Sequence, residues 1–108
     1  MLSGIKTALK SEASFTWVPA DFLEEQMVSP WSDMPVWIPP ASEEGALSRT
    51  VIKKALDKGL TFRPLDITAR DTVSWFKSQP ADRQAKLHAG LTPEREKEVL
   101  DAWKKKPA

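Results

Sequence analysis

The segment from Ser29 to Pro40 constrains the fold of this chain more than any other stretch. It holds four of the nine prolines and two of the five tryptophans. Each proline fixes its own φ, removes a backbone donor and biases the preceding residue toward extended conformations. Neither helical nor strand periodicity covers the whole segment. We therefore predict a stiff, extended loop that presents aromatic faces and is held by helices on both sides.

Length and composition predict one domain over residues 1–108, with a frayed tail at 104–108. A chain of this size can bury one modest core. The net charge of +1 gives no electrostatic reason to expect nucleic acid or an anionic membrane as a partner. The absence of cysteine excludes disulfides and thiolate chemistry and fits a reducing compartment. No stretch has the apolar length of a membrane span or a signal-peptide core, so we expect a cytoplasmic protein.

Hydrophobic periodicity predicts a helix-rich fold of the α/β class, α+β-like, with about five helices and two or three short strands. Helical patterns occupy 2–10, 20–27, 47–59, 66–79, 80–89 and the stretch from Thr92-Pro93 onward. In the second of these, Phe22, Leu23 and Met27 form the expected buried stripe, and Gly59 is a predicted helix cap. The strand-like stretches are 15–18, 36–38 and 60–63. They are too short for a self-sufficient sheet, so they form a small sheet or extend that of another domain.

Few residues suggest catalysis. His88 is the single histidine and has no acidic or nucleophilic partner at a suggestive spacing. The carboxylates of Asp21, Glu24 and Glu25 could ligate a hard cation, but charge at a helix start explains them better. Arg63 could grip an anion, although a structural ion pair is the more ordinary role. Trp31 and Trp37 suit ligand contact and packing equally well.

Two blocks of sequence resemble a known family. The first comprises Phe15-Thr16-Trp17-Val18, Asp21-Phe22-Leu23 and Pro30-Trp31-Ser32-Asp33-Met34-Pro35-Val36-Trp37. The second comprises Lys58-Gly59-Leu60-Thr61-Phe62-Arg63-Pro64-Leu65 and Ala69-Arg70-Asp71-Thr72-Val73-Ser74-Trp75-Phe76. Their order resembles NAD(P)-dependent epimerase/dehydratase proteins, which are extended short-chain dehydrogenase/reductases and include isoflavone-reductase-like members. The resemblance covers residues 2–104 and corresponds to the C-terminal, substrate-binding part of those proteins.

The resemblance implies a parent enzyme that transfers hydride between NAD or NADP and a small-molecule substrate. That family uses a Gly-rich turn in a Rossmann domain and a Tyr-x-x-x-Lys pair. This sequence has no such turn and no tyrosine, so we expect no catalytic residue and no cofactor site in it. It is then either an excised domain or a natural truncation. Its implied partner is the missing Rossmann domain, and self-association through the exposed interdomain face is expected without it.

The same resemblance suggests which residues would meet substrate. The expected pocket wall and polar anchors are Trp31, Ser32, Met34, Trp37, Arg49 and Arg63. A different class of function stays open beside this one. In that alternative the chain is a small, non-enzymatic module that binds a partner protein through its Trp- and Pro-rich loop.

Overall fold

A computed structural model describes residues 1–107, and within them the chain forms six α-helices and one 3-10 helix in two compact units. The first unit, here the α1/α4 unit, comprises 1–15 and 51–87. The second, the loop unit, comprises 16–50 and the residues from 88 onward. The helices are α1 (Leu2–Ala8), α2 (Ala20–Glu25), the 3-10 helix (Glu43–Arg49), α3 (Lys53–Asp57), α4 (Leu65–Lys77), α5 (Ala81–Ala85) and α6 (Pro93–Lys105). The helix-rich class is confirmed, and the expectation of one domain stays a prediction.

The predicted strands are wrong. Over residues 1–107 the structure forms no β-ladder, and its one isolated bridge joins Pro30 and Met34. The stretches 15–18, 36–38 and 60–63 have β-branched and aromatic composition, but each is followed directly by a proline. Proline cannot donate to a ladder, and a three- or four-residue strand gains little without a partner. These three stretches therefore have strand-like composition, but within residues 1–107 they pair with no other strand.

The α1/α4 unit is built on the packing of α1 against α4. Gly4 allows this approach, because a Cβ at that position would lie 3.2 Å from Leu65 Cδ2. Ala69 is the one buried hydrophobic residue among the described residues of this unit, and Val73 and Phe76 beside it are half-buried. Trp75, on the same helix, is exposed. The predicted apolar stripe of α4 is therefore present, but two of its three side chains are only half-buried.

The single helix predicted over 47–59 is wrong, because the chain is extended at Thr50 between the 3-10 helix and α3. The Thr50 hydroxyl donates to the carbonyl oxygens of Ala46 and Leu47 at the end of the 3-10 helix. The β-branched run Thr50-Val51-Ile52 also has poor helix propensity. A side chain that satisfies the last carbonyls favours termination over continuation.

The predicted cap at Gly59 is confirmed. Gly59 has a φ of 97°, a left-handed conformation that glycine adopts at little cost. Its N–H donates to Leu56 O at 3.0 Å, and the next N–H, of Leu60, donates to Ala55 O at 2.9 Å. This is the hydrogen-bond pattern of a Schellman motif. It ends α3 and satisfies two of its terminal carbonyls.

The loop unit has a small apolar core formed by Phe22, Leu23, Val28 and Val99. The Phe22 and Trp103 rings pack edge to face, with centroids 5.0 Å apart and planes at 61°. Half-buried side chains surround the four core residues: Val18, Met34, Trp37, Leu91, Ala102 and Trp103. The core therefore joins α2, the Pro/Trp-rich loop and α6.

The predicted burial of Met27 is wrong, and Val28 takes its place. Met27 has a φ of 54° and is 83% exposed. Its N–H donates to Glu24 O, and the Val28 N–H donates to Leu23 O at 2.9 Å. This is a second Schellman motif with a non-glycine residue in the left-handed position. The reversal turns Val28 back onto Leu23 and sends Met27 outward.

The start predicted for α6 is confirmed. The Thr92 side chain accepts a hydrogen bond from Arg95 N at 3.2 Å, and Pro93 is the first helical residue. The helix continues through Lys105, two residues into the segment expected to fray. Lys106 Nζ then lies 4.9 Å from the Phe22 ring centroid and 3.2 Å from a Glu25 carboxylate oxygen. These contacts attach the end of α6 to α2; Ala108 lies outside the described residues.

No helix among the described residues has both the length and the apolar character needed to cross a bilayer.

Candidate ligand-binding cleft beside the loop

The segment Ser29–Pro40 is tightly hydrogen-bonded, but it folds back on itself instead of being extended. The Trp31 N–H donates to Trp37 O at 3.1 Å, and the Trp37 N–H donates to Met34 O at 3.1 Å. The Asp33 N–H donates to Ser29 O at 3.1 Å. The expectation of stiffness agrees with these bonds. The expectation of an extended path was wrong, because left-handed residues reverse the chain.

Trp31 and Val36 are the two reversing residues, with φ values of 68° and 64°. The left-handed region is unusual for any residue with a Cβ and is a true outlier for a β-branched one. Trp31 is 56% exposed, and Val36 is also exposed. Burial of these two side chains therefore does not offset the backbone strain. Main-chain bonds and neighbouring anchors hold the loop in this shape.

Met34 and Trp37 are those anchors. Both are half-buried and pack against the core of the loop unit. A further bond, from Gly90 N to Ser32 O at 2.9 Å, attaches the loop to the segment before α6. Met34 and Trp37 thus pack against the core, while Trp31 and Ser32 lie on the exposed side.

The two arginines expected as polar anchors are both engaged by the protein. The Arg49 guanidinium donates to the carbonyl oxygen of Pro40, at the end of the loop. Arg63, in the α1/α4 unit, forms an ion pair with Asp71. A substrate anion would have to compete with these partners. The ordinary structural role considered for Arg63 agrees with this geometry.

A cleft of about 470 Å³ lies beside the loop and within the loop unit. Its residues come from α2, the loop and the start of the following segment: Ala20, Asp21, Glu24, Val28, Pro30, Trp37, Pro39, Ala41 and Ser42. The volume falls in the range of small-molecule sites. Of the residues expected at a pocket wall, Trp37 lines this cleft and the other five do not.

Sequence reasoning missed the carboxylates of Asp21 and Glu24 as lining groups. They are three residues apart on α2 and therefore share a face of the helix. This spacing is visible in the sequence and was explained there as charge at a helix start. Their place in the same cleft as Trp37 and Pro39 depends on the chain reversal after α2, which no local pattern indicates.

A metal centre has no support in the described part of the chain, where no group of three potential ligand side chains comes together. Comparison with known proteins adds no assignment. The sequence matches no protein-family model, no curated protein and no solved structure.

Proposed function

We propose that this chain is the substrate-binding, C-terminal part of an NAD(P)-dependent oxidoreductase or epimerase related to extended short-chain dehydrogenase/reductases. In that role it binds substrate and is not catalytic by itself. The parent would bind NAD or NADP in a separate Rossmann domain, to which this part is joined, and would act in the cytoplasm. The proposal rests on the resemblance of the two sequence blocks and on one structural observation.

That observation is the imbalance between buried and exposed apolar side chains. The buried hydrophobic residues are Phe22, Leu23, Val28, Ala69 and Val99. Large hydrophobic side chains remain exposed in both units, including Trp17 at 75% and Phe62 at 66%. Single exposed hydrophobic residues are normal in proteins, but a core this small beside so many of them is typical of an incomplete folding unit. A covering domain would supply the missing burial.

The observation also supports the expected self-association of the isolated chain. Without a covering domain, apolar side chains such as Trp75 and Phe62 would meet those of a second copy. Sedimentation velocity at increasing concentration measures this directly. We expect the weight-average mass to rise with concentration, and a strict monomer at high concentration would contradict the expectation.

The proposal is tested in the full-length parent by Trp31→Ala. If Trp31 lines the substrate pocket, KM rises while the unfolding midpoint and the affinity for NAD(P)H stay unchanged. If Trp31 lies in the seam with the Rossmann domain, stability falls and KM stays unchanged. Val36→Ala, at the other exposed reversal, is the matched control for damage to the loop itself. Failure to bind NAD(P)H in any full-length form would reject the oxidoreductase assignment.

A second function is favoured by the exposed Trp31 alone. A rigid loop that presents a tryptophan is suited to insertion into an apolar pocket of a partner protein. In this alternative the chain is a non-enzymatic interaction module. A module would keep its activity without any dinucleotide-binding half, whereas the enzyme part would not.

A further inference from the structure

We propose that the cleft lined by Trp37 binds a small organic cation: a primary ammonium group on an apolar stem. The stem would lie against Trp37 and Val28, and the ammonium group between the carboxylates of Asp21 and Glu24. This inference goes beyond the proposed function and does not depend on it, because the whole cleft lies within one unit of this chain.

The apolar wall is the first part of the argument. Val28 is buried and Trp37 half-buried, and the prolines at 30 and 39 complete a wall without flexible side chains. Such a wall loses little conformational entropy when a ligand binds, because its side chains are already ordered. Trp37 is the one aromatic side chain of this wall, and its ring offers the apolar stem a large contact area.

The charge of the cleft is the second part. Its lining side chains include two carboxylates and no basic group. Asp21 Oδ1 accepts a bond from Phe22 N at 2.8 Å, which leaves the second carboxylate oxygen available. Among residues 1–107, no ion pair joins Asp21 or Glu24 to a basic side chain. Both carboxylates are exposed to solvent, and neither has a basic side chain of residues 1–107 within ion-pair distance.

Another carboxylate on α2 shows the contrast. Glu25, on the same helix, is paired with Lys106 at 3.2 Å and does not line the cleft. Arg49 is also directed elsewhere, to the Pro40 carbonyl oxygen. The Ser42 hydroxyl donates to Pro39 O at 2.8 Å, so its oxygen can still accept. The two carboxylates and the Ser42 hydroxyl can thus act as acceptors, which match the three donors of an ammonium group.

The test uses the chain itself and phenethylammonium as the probe, with neutral 2-phenylethanol as its matched analogue. The shift of the Trp37 indole N–H resonance, assigned with Trp37→Phe, reports binding. We expect saturable binding of the amine with a dissociation constant on the order of millimolar, because both carboxylates are exposed to solvent and an exposed ion pair contributes little. Binding of 2-phenylethanol should be weaker by roughly fivefold or more.

Two further arms make the result decisive. Asp21→Asn combined with Glu24→Gln keeps side-chain shape and the acceptor for Phe22 N, and should weaken amine binding by roughly fivefold. Glu44→Gln, outside the cleft, should leave it unchanged. In the unmodified chain, raising the ionic strength from about 0.01 M to about 1 M should weaken binding of the amine and leave binding of the alcohol unchanged. Equal binding of amine and alcohol, or unchanged amine binding in the double variant, would overturn the proposal.

Discussion

The carboxylate of Asp33 accepts a hydrogen bond from the backbone N–H of Ser29 at 2.8 Å, and the Asp33 N–H donates back to Ser29 O. These two residues close the base of the loop that carries Trp31. The reciprocal bonds explain how the loop keeps two left-handed, exposed residues without burying them. The shape of the loop is therefore set by polar contacts at its base and by the half-buried Met34 and Trp37.

Asp33→Ala should loosen the loop. Removing the carboxylate leaves the Ser29 N–H to water, at a cost of about 0.5–1.5 kcal/mol in the free energy of unfolding. Asp33→Asn keeps an acceptor oxygen and should cost less. Urea denaturation gives the stability, and hydrogen exchange at the Ser29 amide gives the local effect. Equal costs for the two variants would contradict a role for the acceptor.

Thr92→Ala should destabilise α6. Thr92 caps the helix by accepting from Arg95 N, and loss of a threonine cap typically costs about 1 kcal/mol. Thr92→Ser retains the hydroxyl and serves as the control. Chemical denaturation should show a lower midpoint for alanine with an unchanged slope. If serine and alanine are equally destabilising, the hydroxyl is not the stabilising group.

Phe22→Ala should cost far more than Phe62→Ala. Phe22 is buried and contacts Trp103, so truncation leaves a cavity in the apolar core of its unit, at a cost of about 3–5 kcal/mol. Phe62 is exposed in the isolated chain, and its truncation should change stability by less than about 0.5 kcal/mol. Near-ultraviolet circular dichroism and urea denaturation measure both. Similar costs would mean that the core is not where the structure places it.

The carboxyl group of Asp101 should titrate below its ordinary range. The hydrogen bond from Lys97, at 2.6 Å, lowers the pKa of Asp101 and raises the pKa of Lys97, with smaller help to Asp101 from the positive charges of Lys104 and Lys105. Because the folded-state pKa of Asp101 is depressed, its stabilising effect is present above the unfolded pKa, about 3.9. The effect is lost as pH falls through the lower folded-state value.

An NMR titration of the Asp101 side-chain carbon measures this shift. The midpoint should lie below about 3.9 and return toward it in Lys97→Met. An unshifted midpoint in the unmodified chain would contradict the contact. Both side chains are open to solvent, so high salt should reduce the effect.

Helix starts and stops with a single local cause could be predicted from the sequence. Thr92-Pro93 and Gly59 carry their own capping chemistry, and the structure uses both as expected. The strand at 60–63 could not be judged in the same way, because a strand needs a partner that lies elsewhere. Met27 and Val28 show a further limit. Hydrophobic periodicity assumes a continuous helix and therefore predicts that Met27 is buried. Because Met27 is left-handed, the helix ends there, Met27 is exposed and Val28 is buried.

The candidate cleft was less predictable than the helices. Trp37 was expected at the wall of a substrate pocket and lines the cleft, but its role in binding stays a prediction. The acidic pair on α2 came to lie beside it only through the reversal at Met27 and the folded path of the loop. Both depend on non-glycine residues in left-handed conformations, for which the sequence has no strong signal.

The reading frame upstream of Met1 in the source gene tests the central claim most directly. If this chain is the C-terminal part of an NAD(P)-dependent enzyme, sequencing the transcript should show an in-frame coding region. That region should contain a Gly-rich turn between a strand and a helix, followed by a Tyr-x-x-x-Lys pair. A stop codon and a separate promoter directly upstream would contradict the claim and favour the interaction module.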